Sequence, residues 1–157
     1  MVPGSFLGIY SLDQFTHEYY PKDPARAARD LQADGFVVAA ERDWKGKDGG
    51  YASVQLIQFL EASGASTYVG HEEPSFDHNA ADAAFVVPSV DHGRGYENSK
   101  PDEFGYRTAT MIGQQGNVVV WIDVSTKAPF DRAAEIALMQ QQVATDRVPA
   151  GSTCIGS

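Results

Sequence analysis

The stretch Val118-Val119-Val120-Trp121-Ile122-Asp123-Val124 decides how this chain folds. Every residue in it except Asp123 is apolar, and most are β-branched or aromatic, as in strands that are buried on both faces. We therefore predict a strand here that occupies a central position in a β-sheet. Residues 106–112 alternate between two faces, and Gln114-Gln115-Gly116-Asn117 has the composition of a turn, so the two segments form a predicted hairpin.

A helix is predicted to follow this hairpin. Pro129 and Asp131 are typical helix-start residues, and apolar positions then recur at helical spacing up to about Arg147. Pro149 is expected to stop the helix. The last third of the chain therefore has the order strand, turn, strand, helix.

Residues 35–69 show the same order of elements. Two strand-like segments flank the loop Lys45-Gly46-Lys47-Asp48-Gly49-Gly50, and a short helix follows, which Gly70 is expected to end. Each unit begins with a glycine and an aromatic residue, Gly35-Phe36 and Gly105-Tyr106. Since a hairpin needs a helix to cover its apolar face, we predict an α+β fold. It consists of an antiparallel sheet with helices packed mainly on one face, built as two ββα-like halves.

The length of 157 residues predicts a single domain over 1–157, because two independent cores are unusual at this size. Residues 1–22 are too aromatic for a disordered segment and are expected to fold over the body as an N-terminal arm. Residues 150–157 are small and polar and are expected to form a flexible tail. Two polar stretches, 71–82 and 91–105, are predicted loops.

The charge of the chain restricts its partners. Twelve Lys and Arg residues stand against 21 Asp and Glu residues, for a formal net charge of −9. This balance argues against a nucleic-acid partner, because phosphate binding needs a cationic face. No apolar run approaches the roughly 20 residues of a membrane span, so we expect no membrane insertion of this segment. The lone cysteine, Cys154, excludes an intrachain disulfide.

A polar segment raises the question of a metal site. Gly70-His71-Glu72-Glu73-Pro74-Ser75-Phe76-Asp77-His78 holds five potential metal ligands in nine positions. It contains neither a His-Glu-x-x-His motif nor a helical histidine pair, so we interpret it as a solvated acidic loop, with a metal site as the alternative. Phosphate-loop and nucleophile-elbow motifs are absent from the sequence. We therefore predict no metal, no cofactor and no catalytic residue.

Aromatic side chains carry the binding hypothesis. Large rings near a sheet face can line a ligand cleft, although they are more often core residues. The predicted cleft lies between the sheet and the stretches 71–82 and 91–105. The candidate ligand-binding residues are Trp44, Tyr96, Tyr106 and Trp121 for apolar contact, and Arg94 for a charge.

Residues 106–148 resemble a pattern in exported actinobacterial domains. The strand Asn117-Val118-Val119-Val120 precedes a helix with Asp131-Arg132-Ala133 near its start and Gln140-Gln141-Gln142-Val143 near its end. This pair is similar to the extracellular sensor domain of mycobacterial Ser/Thr receptor kinases and related lipoproteins. The resemblance implies a non-catalytic binding or sensing module outside the cytoplasm, and it carries over no ligand residues. The paired cysteines of the kinase domains have no counterpart here.

Three hypotheses about function follow. The first is a non-enzymatic ligand-binding or sensing domain of an exported or membrane-tethered protein, with an unknown small molecule or protein as its partner. The second is a small-molecule enzyme of the lyase, isomerase or cyclase type, whose acid–base pair comes from His71, Asp77, His78, Asp91 and His92. The third is a protein-interaction or dimerisation domain, so both a monomer and a homodimer are compatible with the sequence. A cytoplasmic location is the alternative, because Met1-Val2-Pro3-Gly4-Ser5 lacks the features of a signal peptide.

Overall fold

The computed structural model describes residues 2–46, 49–77, 83–98 and 100–145 of the chain. Within these ranges the strands are β1 (Val2–Tyr10), β2 (Phe36–Lys45), β3 (Tyr51–Phe59), β4 (Ala83–Val86), β5 (Asp91–Asn98), β6 (Arg107–Gln115) and β7 (Val118–Thr126). The helices are α1 (Leu12–Tyr19), α2 (Pro24–Ala33), α3 (Ala62–Asp77) and α4 (Arg132–Thr145). All neighbouring strands are antiparallel, in the order β1-β2-β3-β7-β6-β5-β4, which confirms the predicted α+β fold.

The apolar strand that decides the fold is β7, and it lies in the interior of the sheet between β3 and β6. Successive side chains of a strand point to opposite faces. Val119 and Trp121 therefore face one side of the sheet, whereas Val120 and Ile122 face the other. Val119, Val120 and Ile122 are fully buried. Because both faces of β7 are covered, its sequence is apolar at nearly every position.

The two predicted ββα-like halves are present. The first consists of β2, β3 and α3, and the second of β6, β7 and α4. The halves join through their inner strands, since β3 pairs with β7 over eight residue pairs from Tyr51–Ser125 to Gln58–Val118. A continuous sheet therefore runs through both halves.

The helices divide unequally between the two faces. Helices α1, α2 and α3 cover the face that carries Val119, where Phe15 and Leu31 are buried in the core. Helix α4 covers the opposite face, where Met139 packs in a second core cluster with Ile122. Three of the four described helices thus share one face, as expected, and α4 seals the other.

The N-terminal segment extends the sheet and then covers it. Strand β1 pairs with β2 at the sheet edge. Ser11 caps α1: its Oγ accepts the backbone N–H of Gln14 at 3.4 Å, and the Gln14 side chain accepts the backbone N–H of Ser11 at 3.0 Å. Phe15 on this helix is fully buried. The single-domain organisation stays a prediction, and the predicted tail at 150–157, with Cys154, lies outside the described residues.

The predicted loop over 91–105 is wrong for its first half. Residues Asp91–Asn98 form β5, which pairs with β4 and with β6. Glycines obscured the strand pattern in the sequence, yet they serve close packing: a Cβ at Gly95 would lie 2.1 Å from Cζ of Phe85. Tyr96 and Glu97 on this strand are buried.

The predicted loop over 71–82 is also wrong where the structure describes it. Helix α3 does not end at Gly70 but continues through Asp77. A glycine inside an exposed helix costs only about 1 kcal/mol relative to alanine, and the helix continues past it. Residues 78–82, including His78, lie outside the described residues.

Candidate functional site

A cleft opens between α1, α2 and α3, on the face of the sheet that these helices cover. Its outer part, the outer cleft, has a volume of about 750 Å³. Its walls come from positions between 19 and 34, at the end of α1 and along α2, and from positions between 68 and 72 on α3. Apolar wall residues such as Leu31 and Ala27 alternate with charged ones on the amphipathic helix α2.

A smaller space, the inner chamber, adjoins the outer cleft and reaches down to the sheet. Its volume is about 210 Å³. Tyr19, Tyr20, Tyr68 and Glu72 line both spaces, so the chamber opens toward the cleft. The chamber is lined by Tyr19, Tyr20, Glu41, Gln55, Tyr68, Glu72, Trp121 and Asp123.

The floor of the inner chamber is a row of side chains from three neighbouring strands. Glu41 on β2 pairs with Gln55 on β3, and Gln55 pairs with Trp121 on β7. Asp123 lies two residues further along β7 and on the same face. On this face of the sheet, the chamber floor therefore contains polar residues, whereas the adjoining core around Val119 is apolar.

Tyrosine hydroxyls hold the glutamates of the chamber. Tyr10 donates its O–H to Oε2 of Glu41 at 3.1 Å, and Tyr19 donates to the same oxygen. Tyr20 donates to Oε1 of Glu72 at 2.6 Å. These bonds orient both carboxylates from helices and strands that are distant in the sequence.

A second tyrosine extends the bond to Glu72. The hydroxyl oxygens of Tyr20 and Tyr68 are 3.2 Å apart. Since the single hydroxyl proton of Tyr20 goes to Glu72, Tyr68 supplies the proton between the two tyrosines. Burial raises the pKa of Tyr19, Tyr20 and Tyr68 above its ordinary value, so all three keep their hydroxyl protons.

Asp123 is held from within the sheet. Trp121 donates its indole N–H to Oδ2 of Asp123 at 2.9 Å, and Thr110 donates its hydroxyl to Oδ1. Burial raises the pKa of Asp123, while these two hydrogen bonds favour the charged form and act in the opposite direction.

Gln55 differs from the other polar groups of the chamber. Its residue surface is only 6% exposed, and its side chain makes no hydrogen bond to any residue within the described ranges. Its amide nitrogen and oxygen are not among the fully buried, unpartnered polar atoms of the described residues, so they keep contact with the space of the chamber. The amide of Gln55 lines the inner chamber, where a bound molecule can supply the missing partner.

The structure does not bring the five predicted ligand-binding residues together. Trp121 lines the inner chamber. Trp44 pairs with Ala52 and belongs to the core cluster on the opposite face, and the Arg42 guanidinium lies 5.5 Å from its ring centroid. One cleft therefore cannot use both tryptophans.

The other three predicted residues lie away from the cleft. Arg94 and Tyr96 on β5 share a face with Trp121, but neither lines the outer cleft or the inner chamber. The ammonium of Lys127 lies 4.8 Å from the ring centroid of Tyr106. A ligand contact by any of the five residues stays a prediction.

The predicted acid–base pool is dispersed. His71 lies at the outer cleft, whereas Asp91 and His92 are exposed at the start of β5 and line neither space. His78 and the side chain of Asp77 lie outside what the structure describes. Across the described residues, no group of three His, Cys, Asp or Glu side chains is placed to hold a metal ion.

Most of the residues that line the chamber were not predicted from the sequence. One signal was present: Glu41, Gln55 and Asp123 are polar residues inside strands with many apolar positions. The tyrosines gave no comparable signal, because Tyr19, Tyr20 and Tyr68 reach the chamber from two helical regions that only the tertiary fold brings together.

The described part of the chain contains no helix that is both long and apolar enough to cross a membrane. No protein-family model matches the chain. No curated protein sequence matches it either.

A solved structure with a similar fold is the extracellular domain of PknH from Mycobacterium tuberculosis. The two share 13% sequence identity over 91% of this chain and 80% of that chain, with a TM-score of 0.58. At this identity the likeness shows the fold alone. The predicted resemblance to the extracellular domain of such a kinase is therefore confirmed at the level of architecture.

Proposed function

We propose that this chain is a non-enzymatic ligand-binding or sensing domain whose ligand occupies the outer cleft and the inner chamber. The observation that carries the proposal is the cleft itself, which leads from solvent to oriented polar groups on the sheet. Small-molecule sites are concave, with volumes of about 300–1,000 Å³ and a few precisely placed polar groups. The outer cleft, at about 750 Å³, falls within this range.

The fold supports the sensing part of the proposal. The chain shares its architecture with an extracellular domain, and its last third resembles sensor domains of actinobacterial receptor kinases and lipoproteins. We therefore propose a place outside the cytoplasm, in an exported or membrane-tethered protein of that group. Because fold alone does not define function, the experiment that tests this proposal addresses ligand binding in the cleft.

Binding explains the chamber better than acid–base chemistry does. Burial raises the pKa of Tyr19, Tyr20 and Tyr68, so their hydroxyls stay donors that orient carboxylates. Asp91 and His92, two members of the predicted acid–base pool, lie outside the cleft. The arrangement is suited to holding a molecule in one orientation.

A blocked cleft tests the proposal. Ala27 on α2 is half-buried and lines the outer cleft, whereas Ala25 on the same helix is exposed and does not. Ala27→Trp fills the cleft, and Ala25→Trp is the matched control that adds the same side chain elsewhere. Thermal shifts are measured with a chemically diverse set of small molecules.

We expect compounds that raise the Tm of the wild type and of Ala25→Trp but not that of Ala27→Trp. Two results would contradict the proposal: no compound raises the Tm of the wild type, or every active compound raises the Tm of all three proteins equally.

A further inference from the structure

We propose that the inner chamber recognises the primary ammonium group of a small organic cation, with the rest of that molecule in the outer cleft. This inference rests on the proposed function and names the class of ligand for the same site. Three independent features of the chamber carry it: the sign of its charged groups, its free hydrogen-bond acceptor and its aromatic walls.

The charged residues that line the chamber are all acidic. Glu41, Glu72 and Asp123 contribute carboxyl groups, and no Lys, Arg or His is among the described residues that line it. Tyr19 and Tyr20, from the helix side, donate hydroxyl hydrogen bonds to Glu41 and Glu72. The whole chain adds to this field with its net charge of −9. The chamber therefore attracts cations and repels anions.

The hydrogen-bond acceptors of the chamber suit an ammonium group, which needs acceptors as well as negative charge. A primary ammonium carries three N–H donors and no acceptor. Gln55 lines the chamber at the centre of its floor, directly between Glu41 and Trp121 in the sheet register, and its amide contains a carbonyl oxygen that can accept a hydrogen bond. Gln55 as a residue is more than nine-tenths buried, and its side chain makes no hydrogen bond within the described chain. An ammonium at this point satisfies Gln55 and lies beside carboxylate oxygens.

The aromatic walls favour the same ligand. The rings of Tyr19, Tyr20, Tyr68 and Trp121 line the chamber, and the face of an aromatic ring attracts a cation. Their edges also provide apolar contact for the first methylene groups of an amine. The remaining alkyl part of the ligand then extends into the outer cleft, which Leu31 and Ala27 line. The chamber volume of about 210 Å³ accommodates a short alkylammonium group.

Titration calorimetry with matched probes tests the ligand class. The probes are n-butylamine, its neutral analogue n-butanol, the anion butyrate and tetramethylammonium, which is a cation without N–H donors. We expect n-butylamine to bind about tenfold or more tightly than each of the other three. Binding of n-butanol or butyrate at equal affinity would overturn the role of charge. Equal binding of tetramethylammonium would overturn the role of the N–H donors.

Substitutions of chamber residues test whether n-butylamine binds in the chamber. Glu41→Gln removes the charge and keeps an oxygen that can accept the tyrosine hydroxyls, and Gln55→Leu removes the free acceptor. Each is expected to weaken n-butylamine binding about tenfold. Glu61→Gln is the matched control, because Glu61 is exposed and does not line either space. Asp123→Asn provides a third test if either chamber variant fails to fold. Unchanged affinity in the folded chamber variants would overturn the inference.

The two proposals fail in different ways. If n-butylamine does not bind but neutral or anionic compounds raise the Tm in a manner that Ala27→Trp abolishes, the ligand class is wrong and the proposed function stands. If no compound shows an effect that Ala27→Trp abolishes, the proposed function fails as well.

Discussion

At the scale of single residues, the polar floor of the chamber shows a conflict between stability and binding. Gln55 occupies a central strand position that is 6% exposed, and no side-chain hydrogen bond joins it to another described residue. On β7, by contrast, Trp121 and Thr110 both donate hydrogen bonds to Asp123. A fold selected for stability alone would place an apolar residue at position 55. The unpartnered amide is consistent with a group kept for a ligand.

The first prediction follows from this conflict. Gln55→Leu replaces a buried amide with an apolar side chain of similar size and is expected to raise the free energy of unfolding by about 1 kcal/mol. Chemical denaturation of the ligand-free proteins measures the difference. A loss of stability in Gln55→Leu would show that the amide has a structural partner and would remove one support of the ammonium site.

Single residues also mark how far the sequence could lead toward the site. Trp121 was predicted as a site residue because of its ring on a strong strand, and it lines the chamber. Trp44 met the same criterion, but the strand register places it on the opposite face. A shift of one position along a strand reverses the face, and residue type alone does not reveal the register.

At the scale of elements, α4 carries a buried acid that should make its docking sensitive to pH. Glu135 in the first turn of α4 is 8% exposed, and its Oε2 has no hydrogen-bond partner among the described residues. Three charged residues lie nearby: Asp131 just before the helix, Arg132 in its first turn, and Glu97 on β5. Arg132 donates two hydrogen bonds, of 2.8 and 2.9 Å, to the carboxylate of Glu97. Burial, followed by the charge of Glu97, raises the pKa of Glu135 to about 7.

The second prediction concerns the sign of this effect. Because the folded-state pKa of about 7 exceeds the ordinary glutamate pKa of 4.5, the protonated form of Glu135 is favoured in the folded protein. Its contribution to stability is complete below pH 4.5 and is lost as the pH rises through about 7. Glu135→Gln mimics the neutral form and should remove this loss, which is on the order of 3 kcal/mol.

Denaturation at a series of pH values measures the effect for the wild type, for Glu135→Gln and for the exposed control Glu61→Gln. The wild type and the control should lose stability between pH 4.5 and about 7 relative to Glu135→Gln. Parallel curves for all three proteins would show that Glu135 does not control the docking of α4.

Elements also show where sequence patterns lose their predictive value. Strand β7 was predicted correctly because burial on both faces leaves an apolar sequence. Strand β5 was missed because Gly95, which the Phe85 ring requires, is a typical loop residue. Helix α3 was predicted too short because the exposed Gly70 weakens a helix without ending it.

At the scale of the whole molecule, the order of elements predicted the architecture and left the site open. Two ββα-like halves give one continuous sheet through the pairing of β3 with β7. The cleft arises between α3 of the first half and the N-terminal helices α1 and α2, which no repeat pattern in the sequence includes. Its residues come from positions 19–34, 41, 55, 68–72 and 121–123, so only the folded chain assembles them.

The two tryptophans provide a direct measurement for the central claim, that a primary amine enters the inner chamber. They lie on opposite faces of the sheet, and Trp121 lines the chamber whereas Trp44 does not. Titration of isotope-labelled protein with n-butylamine, followed by NMR, records both indole N–H signals and the side-chain amide signals of Gln55 in one experiment. We predict that the signals of Trp121 and Gln55 shift with saturation while the Trp44 signal does not move. Shifts confined to Trp44, or no saturable shift at Trp121 and Gln55, would contradict the account.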